Sequence, residues 1–232
     1  MAFTSVVFVL LVAVLKPGDK PAPKDWGFLV AFGVLNLSLS YLLLYYATTW
    51  ISAALVTLAF SLKTIGTPVA LRIFLKQRLH PSVLVGGLVG ICGVGLVLYP
   101  MLGQTLDDAA LKGLGFAVLG MLLTSVGDAC SARNARQGIH PLHANAVGFC
   151  VATVLLAAVR ALQGRHWQFD TSAHYIGALL YLTLVASCLA WLFYLNLVER
   201  IGAAASSYIV ALFPAVGGID SVNIGDSQPS IY

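Results

Sequence analysis

Eight apolar segments, separated by clusters of charge, proline and glycine, dominate the chain: 2–15, 26–46, 50–75, 82–101, 113–131, 142–162, 174–197 and 201–219. A bilayer core is about 30 Å thick and takes about 20 helical residues to cross. All but the first segment are near or above that length, and none alternates strictly as barrel strands do. Charged residues are only 9% of the 232 and apolar ones 59%, where a soluble domain carries about 25% charged. The mean hydropathy is +0.90. These values exclude a cytosolic enzyme, a disordered tail and a disulfide-rich secreted module, and they predict an all-α integral membrane protein.

The 2–15 run is short, has no basic leader and ends at Lys16-Pro17-Gly18 without a small-residue cleavage site. It reads as a spanning helix lacking its beginning rather than as a signal peptide. Cys92, Cys130, Cys150 and Cys188 all sit in apolar runs without a C-x-x-C pair, so they are read as small packing residues.

Loop charge sets orientation. Lys16, Lys20, Lys24, Arg72, Lys76, Arg78, Arg133, Arg136 and Arg200 fall on one side, and Lys112, Arg160 and Arg165 on the other, nine against three. The richer side is expected to face the cytoplasm, in a multi-pass protein of the cell inner membrane.

The sequence also carries a weak internal repeat. A shift of 150 positions brings Ile51-Ser52-Ala53-Ala54 onto Ile201-Gly202-Ala203-Ala204, and Leu29, Leu39, Leu42 and Leu62 onto Leu179, Leu189, Leu192 and Leu212. Runs two and three then match runs seven and eight. The simplest completion is a five-helix unit used twice, with eight of ten helices present. The units are 1–102, lacking its first helix, and 112–232, lacking its last. An odd helix number inverts the second unit, a transporter architecture.

The stretch from Tyr41 to Pro100, with ISAALVTLAFSL and then PVALRIFLKQRLHPSVLVGGLVGICGVGLVL, resembles the first EamA-type repeat of the drug/metabolite transporter superfamily. The later LLYLTLVASCLAWLFYLNLVERIGAAASSYIVALFPAVGG, followed by IGDSQPS, is similar to the second. The resemblance implies ten helices, cytoplasmic termini and a central cavity. It also implies efflux of amino-acid-like metabolites or toxic compounds as the commonest activity. The chain departs from the family pattern at Gln77, where an acid is usual, at Thr64, near which a proline is usual, and at Asp220 in an otherwise apolar stretch. Pro214 and Asp226 keep the pattern in the second copy.

Two charges need explaining. Lys63 lies near the middle of 50–75, where a lysine costs about 2.5–3.5 kcal/mol to insert. It is read as a cationic contact for an anionic or zwitterionic substrate, with snorkelling or an internal salt bridge as the alternatives. Asp128 is read as an ion-coupling carboxylate, or else as a cap on the nearby arginines, and a Lys63–Asp128 pair is conceivable. Aromatic residues cluster at Tyr41, Tyr45, Tyr46 and Trp50, and at Trp191, Phe193, Tyr194 and Tyr208. They form either an interfacial belt or the walls of a cavity. Asn36, Ser40, Ser61, Ser187 and Asn196 add polar groups on the same runs. The candidate substrate-binding set is Lys63, Asn36, Ser61, Tyr41, Trp191, Tyr194 and Asn196, with Asp128 for coupling.

Gly86, Gly87, Gly90, Gly93 and Gly95 give small-xxx-small spacing, for packing within the fold or a homodimer seam. His140 and His143 lack further ligands nearby and suggest no metal site. No phosphate loop, catalytic triad or basic nucleic-acid face is present, and no cofactor is expected. The reading is a non-enzymatic secondary transporter, an exporter of a small polar or amphipathic metabolite by alternating access. Its partners are that metabolite and the lipid bilayer. The alternative is a non-transporting scaffold or a defective fragment.

Overall fold

The computed structural model describes residues 1–18, 20–78, 81–82, 85–87, 89–90, 92–93, 108–164, 171–207 and 209. Most of runs four and eight, with Tyr208, Pro214, Asp220 and Asp226, lies outside the described residues. No strand occurs among the described residues. Five helices there are long and apolar enough to cross a membrane: Pro23–Ala47, Leu55–Leu75, Asp108–Arg136, Pro141–Leu162 and Ala173–Ile201.

We label Ala2–Leu15 α1, Pro23–Ala47 α2, Ala53–Ser61 α3, Lys63–Leu75 α4, Asp108–Arg136 α5, Pro141–Leu162 α6 and Ala173–Ile201 α7. Run three is thus not one unbroken helix. Ser52 caps α3 by accepting from the Leu55 N–H, a standard way to satisfy a first-turn donor. The ladder is then interrupted at Leu62, so Lys63 opens a new helix rather than occupying the middle of one. Pro68 inside α4 withholds the N–H that would bond the Thr64 carbonyl, loosening the same turn. Helix α5 outruns its apolar segment at both ends, since Asp108–Lys112 and Ala132–Arg136 stay helical as they leave the apolar zone. The expected start of the second unit at residue 112 falls inside its first turns.

In a bilayer, helices associate through close packing rather than through burial from water, so small residues mark the contacts. A Cβ at Gly33 of α2 would lie 2.7 Å from the Gly148 carbonyl oxygen of α6. One at Gly127 of α5 would lie 2.8 Å from the Asn36 Cβ, and Gly66 of α4 is pressed onto Ser125 and Met121 of α5. Around these contacts Phe8, Leu29, Phe32, Leu37 and Phe149 form a fully buried cluster, with Phe8 and Phe149 stacked at 5.4 Å between centroids. Gly87, from the glycine-rich stretch, faces Ile65, which places it in packing within the fold.

The two ends of the bundle differ in charge, as the loop count expects. At one end Arg133 pairs with Asp25 and lies 4.2 Å from the Phe28 ring centroid. His143 Nε2 is 3.0 Å from the Pro17 carbonyl, and Leu71, Ala132, Val198 and Ala203 pack together. Lys16, Lys24, Arg72, Lys76, Arg136 and Arg200 close helices or loops adjoining these contacts. At the other end Gln163 donates to Tyr46 at 2.8 Å, and Lys112 sits over the Trp50 ring.

The 150-residue register reappears in the backbone. Helix α2 is π-helical over Gly33–Leu39 and α7 over Leu184–Leu189, segments that the shift superposes. π turns are rare and concentrate at functional positions. Trp191 Nε1 donates to Tyr41 Oη at 3.3 Å, and these residues are 150 positions apart.

Candidate functional site

Beside the Tyr41–Trp191 contact a cavity of about 600 Å³ is lined by Asn36, Ser40, Tyr41 and Leu44 of α2, Phe60 of α3 and Lys63 of α4. Thr124 of α5, Ile209 and the α7 face that includes Trp191, Phe193 and Tyr194 complete the wall. Most of this lining lies between the level of Lys63 and the end opposite the basic one. Toward the basic end Ala70, Leu71, Ala129, Ala132, Val198 and Ala203 pack together.

At the base of the cavity Lys63 Nζ stands 3.0 Å from Asp128 Oδ2, with the two side chains 4% and 0% exposed. The carboxylate is held by four donors. Oδ1 accepts from Asn36 Nδ2 at 2.9 Å and Tyr194 Oη at 3.0 Å, while Oδ2 accepts from Thr67 Oγ1 at 2.8 Å as well as from Lys63. Lys63 also reaches Tyr194 Oη at 3.4 Å and lies 5.1 Å from that ring's centroid and 5.7 Å from that of Phe60. Such pairing is what makes a buried charge tolerable, since each ion's loss of hydration must be offset by its partner and by further hydrogen bonds. Of the alternatives for Lys63, the structure realises the internal salt bridge, with its ammonium on the cavity wall. Asp128 does not cap the arginines, because Arg133 pairs with Asp25 instead.

Local sequence explains this convergence. Lys63 and Thr67 are four residues apart, hence on one helix face, and Gly66 beside them lets α4 lie against α5. Gly127, next to Asp128, lets α5 approach Asn36. The π segment of α2 holds Asn36 between two hydroxyl groups that bond back to the main chain. Ser38 donates to the Gly33 carbonyl at 2.8 Å, and Ser40 donates to the Asn36 carbonyl at 2.7 Å.

Asn36, Tyr41, Lys63, Trp191 and Tyr194 of the expected set therefore meet at one cavity, with Asp128 directly behind its wall. Ser61 and Asn196 are placed elsewhere. Ser61 Oγ donates to the Leu58 carbonyl at 2.6 Å and Asn196 Nδ2 to the Leu192 carbonyl at 2.7 Å, and neither lines the cavity. Thr67 and Thr124 are absent from the sequence reading. The one signal for Thr67 is its position one turn beyond Lys63. The aromatic residues divide, with Tyr46 and Trp50 at the opposite end and Tyr41, Trp191, Phe193 and Tyr194 in the wall. His140 Nδ1 accepts from the Leu142 N–H at 3.2 Å, capping α6. No cluster of three metal-ligating residues occurs among the described residues.

Helices of membrane length, with a solute-sized cavity that reaches a buried ion pair, define a multi-pass membrane protein. Residues 1–99 and 111–232 match the EamA-like transporter family, and the chain belongs to that family. It is similar to a protein of Clostridium kluyveri described as an uncharacterized transporter, with 22% identity over 207 residues. The alignment covers 87% of this chain and 65% of the relative, so the chain spans less than two-thirds of that relative's length. No solved structure matches it.

Proposed function

We propose that the chain forms the solute pathway of a secondary transporter that exports a small polar or amphipathic metabolite by alternating access, from the cytoplasm at its basic end. The observation carrying this reading is the cavity that ends on the Lys63–Asp128 pair. Its donors come from α2 and α4 before residue 102 and from α7 after residue 112, so one carboxylate ties together both expected units. A solute that competes for Lys63, or a cation that competes for Asp128, loosens contacts among four helices at once, which links loading to helix movement. Asp128 thereby keeps the coupling role and Lys63 the solute contact.

The test is a flux screen of the purified chain in proteoliposomes, with metabolite classes offered under imposed proton and sodium gradients. Flux of at least one class, abolished in Lys63→Met at equal incorporation, supports the reading. Absence of flux for every class under both gradients overturns it in favour of a membrane scaffold.

A further inference from the structure

A second hollow lies away from the ion pair, on the outside of the bundle near its basic end. Val126, Ala129 and Arg133 recur at intervals of three and four along α5 and so share one helix face. That face helps enclose a groove of about 440 Å³, with Gly27 and Phe28 of α2 and Phe74 and Leu75 of α4 also in its wall. Gly27 leaves room in it, since a Cβ there would meet no atom within 4 Å. Phe28 and Phe74 are 43% and 59% exposed, so the groove opens sideways, toward lipid.

Arg133 is the charged group of an otherwise apolar lining. It gives Nη1 to Asp25 and lies over the Phe28 ring. Asp25 offsets its charge but engages only part of a guanidinium with five N–H donors. Two exposed lysines adjoin the groove in sequence. Lys24 precedes Asp25, and Lys76 directly follows Leu75 and closes α4. Neither has an acid partner among the described residues, so the balance of charge beside the groove is positive. Anionic headgroups are drawn to such residues at a membrane surface and settle in basic pockets between spanning helices. We propose that this groove binds one anionic phospholipid, with an acyl chain between Phe28 and Phe74 and the phosphate at Arg133, Lys24 and Lys76. The lipid then braces α2, α4 and α5, the helices that carry Asn36, Lys63 and Asp128. This site does not depend on the transport reading.

The test is native mass spectrometry of the chain in detergent, with phosphatidylglycerol or the zwitterionic phosphatidylethanolamine added in steps. The expected result is one saturable phosphatidylglycerol per chain, held more tightly than phosphatidylethanolamine. Lys24→Gln with Lys76→Gln should weaken phosphatidylglycerol about 25-fold, roughly fivefold for each lysine, and leave phosphatidylethanolamine unchanged. Gly27→Leu, which fills the groove, should weaken both lipids. Gly115→Leu, equally open but outside the lining, should weaken neither. All these positions are exposed, so each variant should melt with the wild type in lipid-free detergent. Phosphatidylglycerol should then raise the melting temperature of the wild type but not of Gly27→Leu. Equal affinity for the two lipids overturns the proposal, as does undiminished phosphatidylglycerol binding in Gly27→Leu or in the double lysine variant.

Discussion

The Lys63–Asp128 pair makes a quantitative claim about stability. With side chains 4% and 0% exposed, neither ion can recover hydration when the other is removed. Lys63→Met leaves a buried carboxylate with three neutral donors, and Asp128→Asn leaves a buried ammonium facing an amide. Breaking a buried pair on one side destabilises by about 3–5 kcal/mol. Combining the two substitutions removes both charges. The new amide's oxygen can still accept from Asn36 and Tyr194, and its NH₂ can donate to Thr67, so only about 1 kcal/mol is lost, the net worth of an imperfectly replaced hydrogen bond. At roughly 2–4 °C per kcal/mol for a chain of this size, each single variant should melt about 6–20 °C below wild type. The double variant should melt within about 4 °C of it. Thermal unfolding of the four proteins in one detergent, followed by intrinsic fluorescence and by a thiol-reactive dye, closes the cycle. A double variant that melts below both singles would show that the two ions do not depend on each other, and the reasoning would fail.

Other expectations follow from the same contacts. Tyr194→Phe keeps the ring but loses a hydroxyl that donates to Asp128 and accepts from Lys63; at about 1.5–3 kcal/mol for a hydrogen bond to a charge, it should melt roughly 3–12 °C lower, and an unchanged melting point counts against the site geometry. Gly33→Ala places a methyl 2.7 Å from the Gly148 carbonyl oxygen and should destabilise by about 1–3 kcal/mol, whereas Gly115→Ala, with nothing within 4 Å, should be neutral in the same melting assay. With the native cysteines replaced, Lys20→Cys and Arg136→Cys should react with an impermeant maleimide only from the cytoplasm, and Thr48→Cys and Gln163→Cys only from outside. Labelling of both sets from one side would refute the orientation.

The spans were legible because the bilayer imposes a length and an apolarity that composition alone records. Run 142–162 becomes Pro141–Leu162 and run 26–46 becomes Pro23–Ala47. The interruption at Leu62 was hidden because it lies in an apolar stretch without glycine or proline at the break itself. The π segments were likewise invisible, since each lies in a run that is apolar nearly all round and so carries no periodic pattern for a change in hydrogen-bond register to shift. For the candidate site, charge in an apolar run singled out Lys63 and Asp128, but their meeting across 65 positions depends on how α4 and α5 cross, and that is set by Gly66, Gly127 and their neighbours. Ser61 and Asn196 looked equivalent to Asn36 in sequence. They differ because their side chains turn back onto their own helices, a choice that polar residues in helices commonly make.

The polar cluster departs from the 150-residue register that Tyr41 and Trp191 follow. Tyr41 and Trp191 are counterparts in the 150-residue register and touch each other, so the proposed exchange between two units would leave their contact in place. The four donors to Asp128 have no such counterparts: Lys63 corresponds to Phe213, Thr67 to Gly217, Asn36 to Ala186 and Tyr194 to Leu44. Under the proposed alternating access by two exchanging units, the exchanged arrangement cannot rebuild the cluster, and the two ends of that cycle differ in energy. In the proposed cycle, the arrangement with all four donors on the carboxylate and the basic-end residues packed is the one the ion pair favours. Removing both charges should shift the population toward opening at that end. Ala132, 5% exposed within the packed residues there, is the reporter. With the native cysteines replaced, Ala132→Cys should be labelled slowly from the cytoplasmic side, and about tenfold faster with Lys63→Met and Asp128→Asn together, the change expected for a shift of about 1.4 kcal/mol. Equal labelling rates would mean that the pair stabilises the bundle without biasing its conformation.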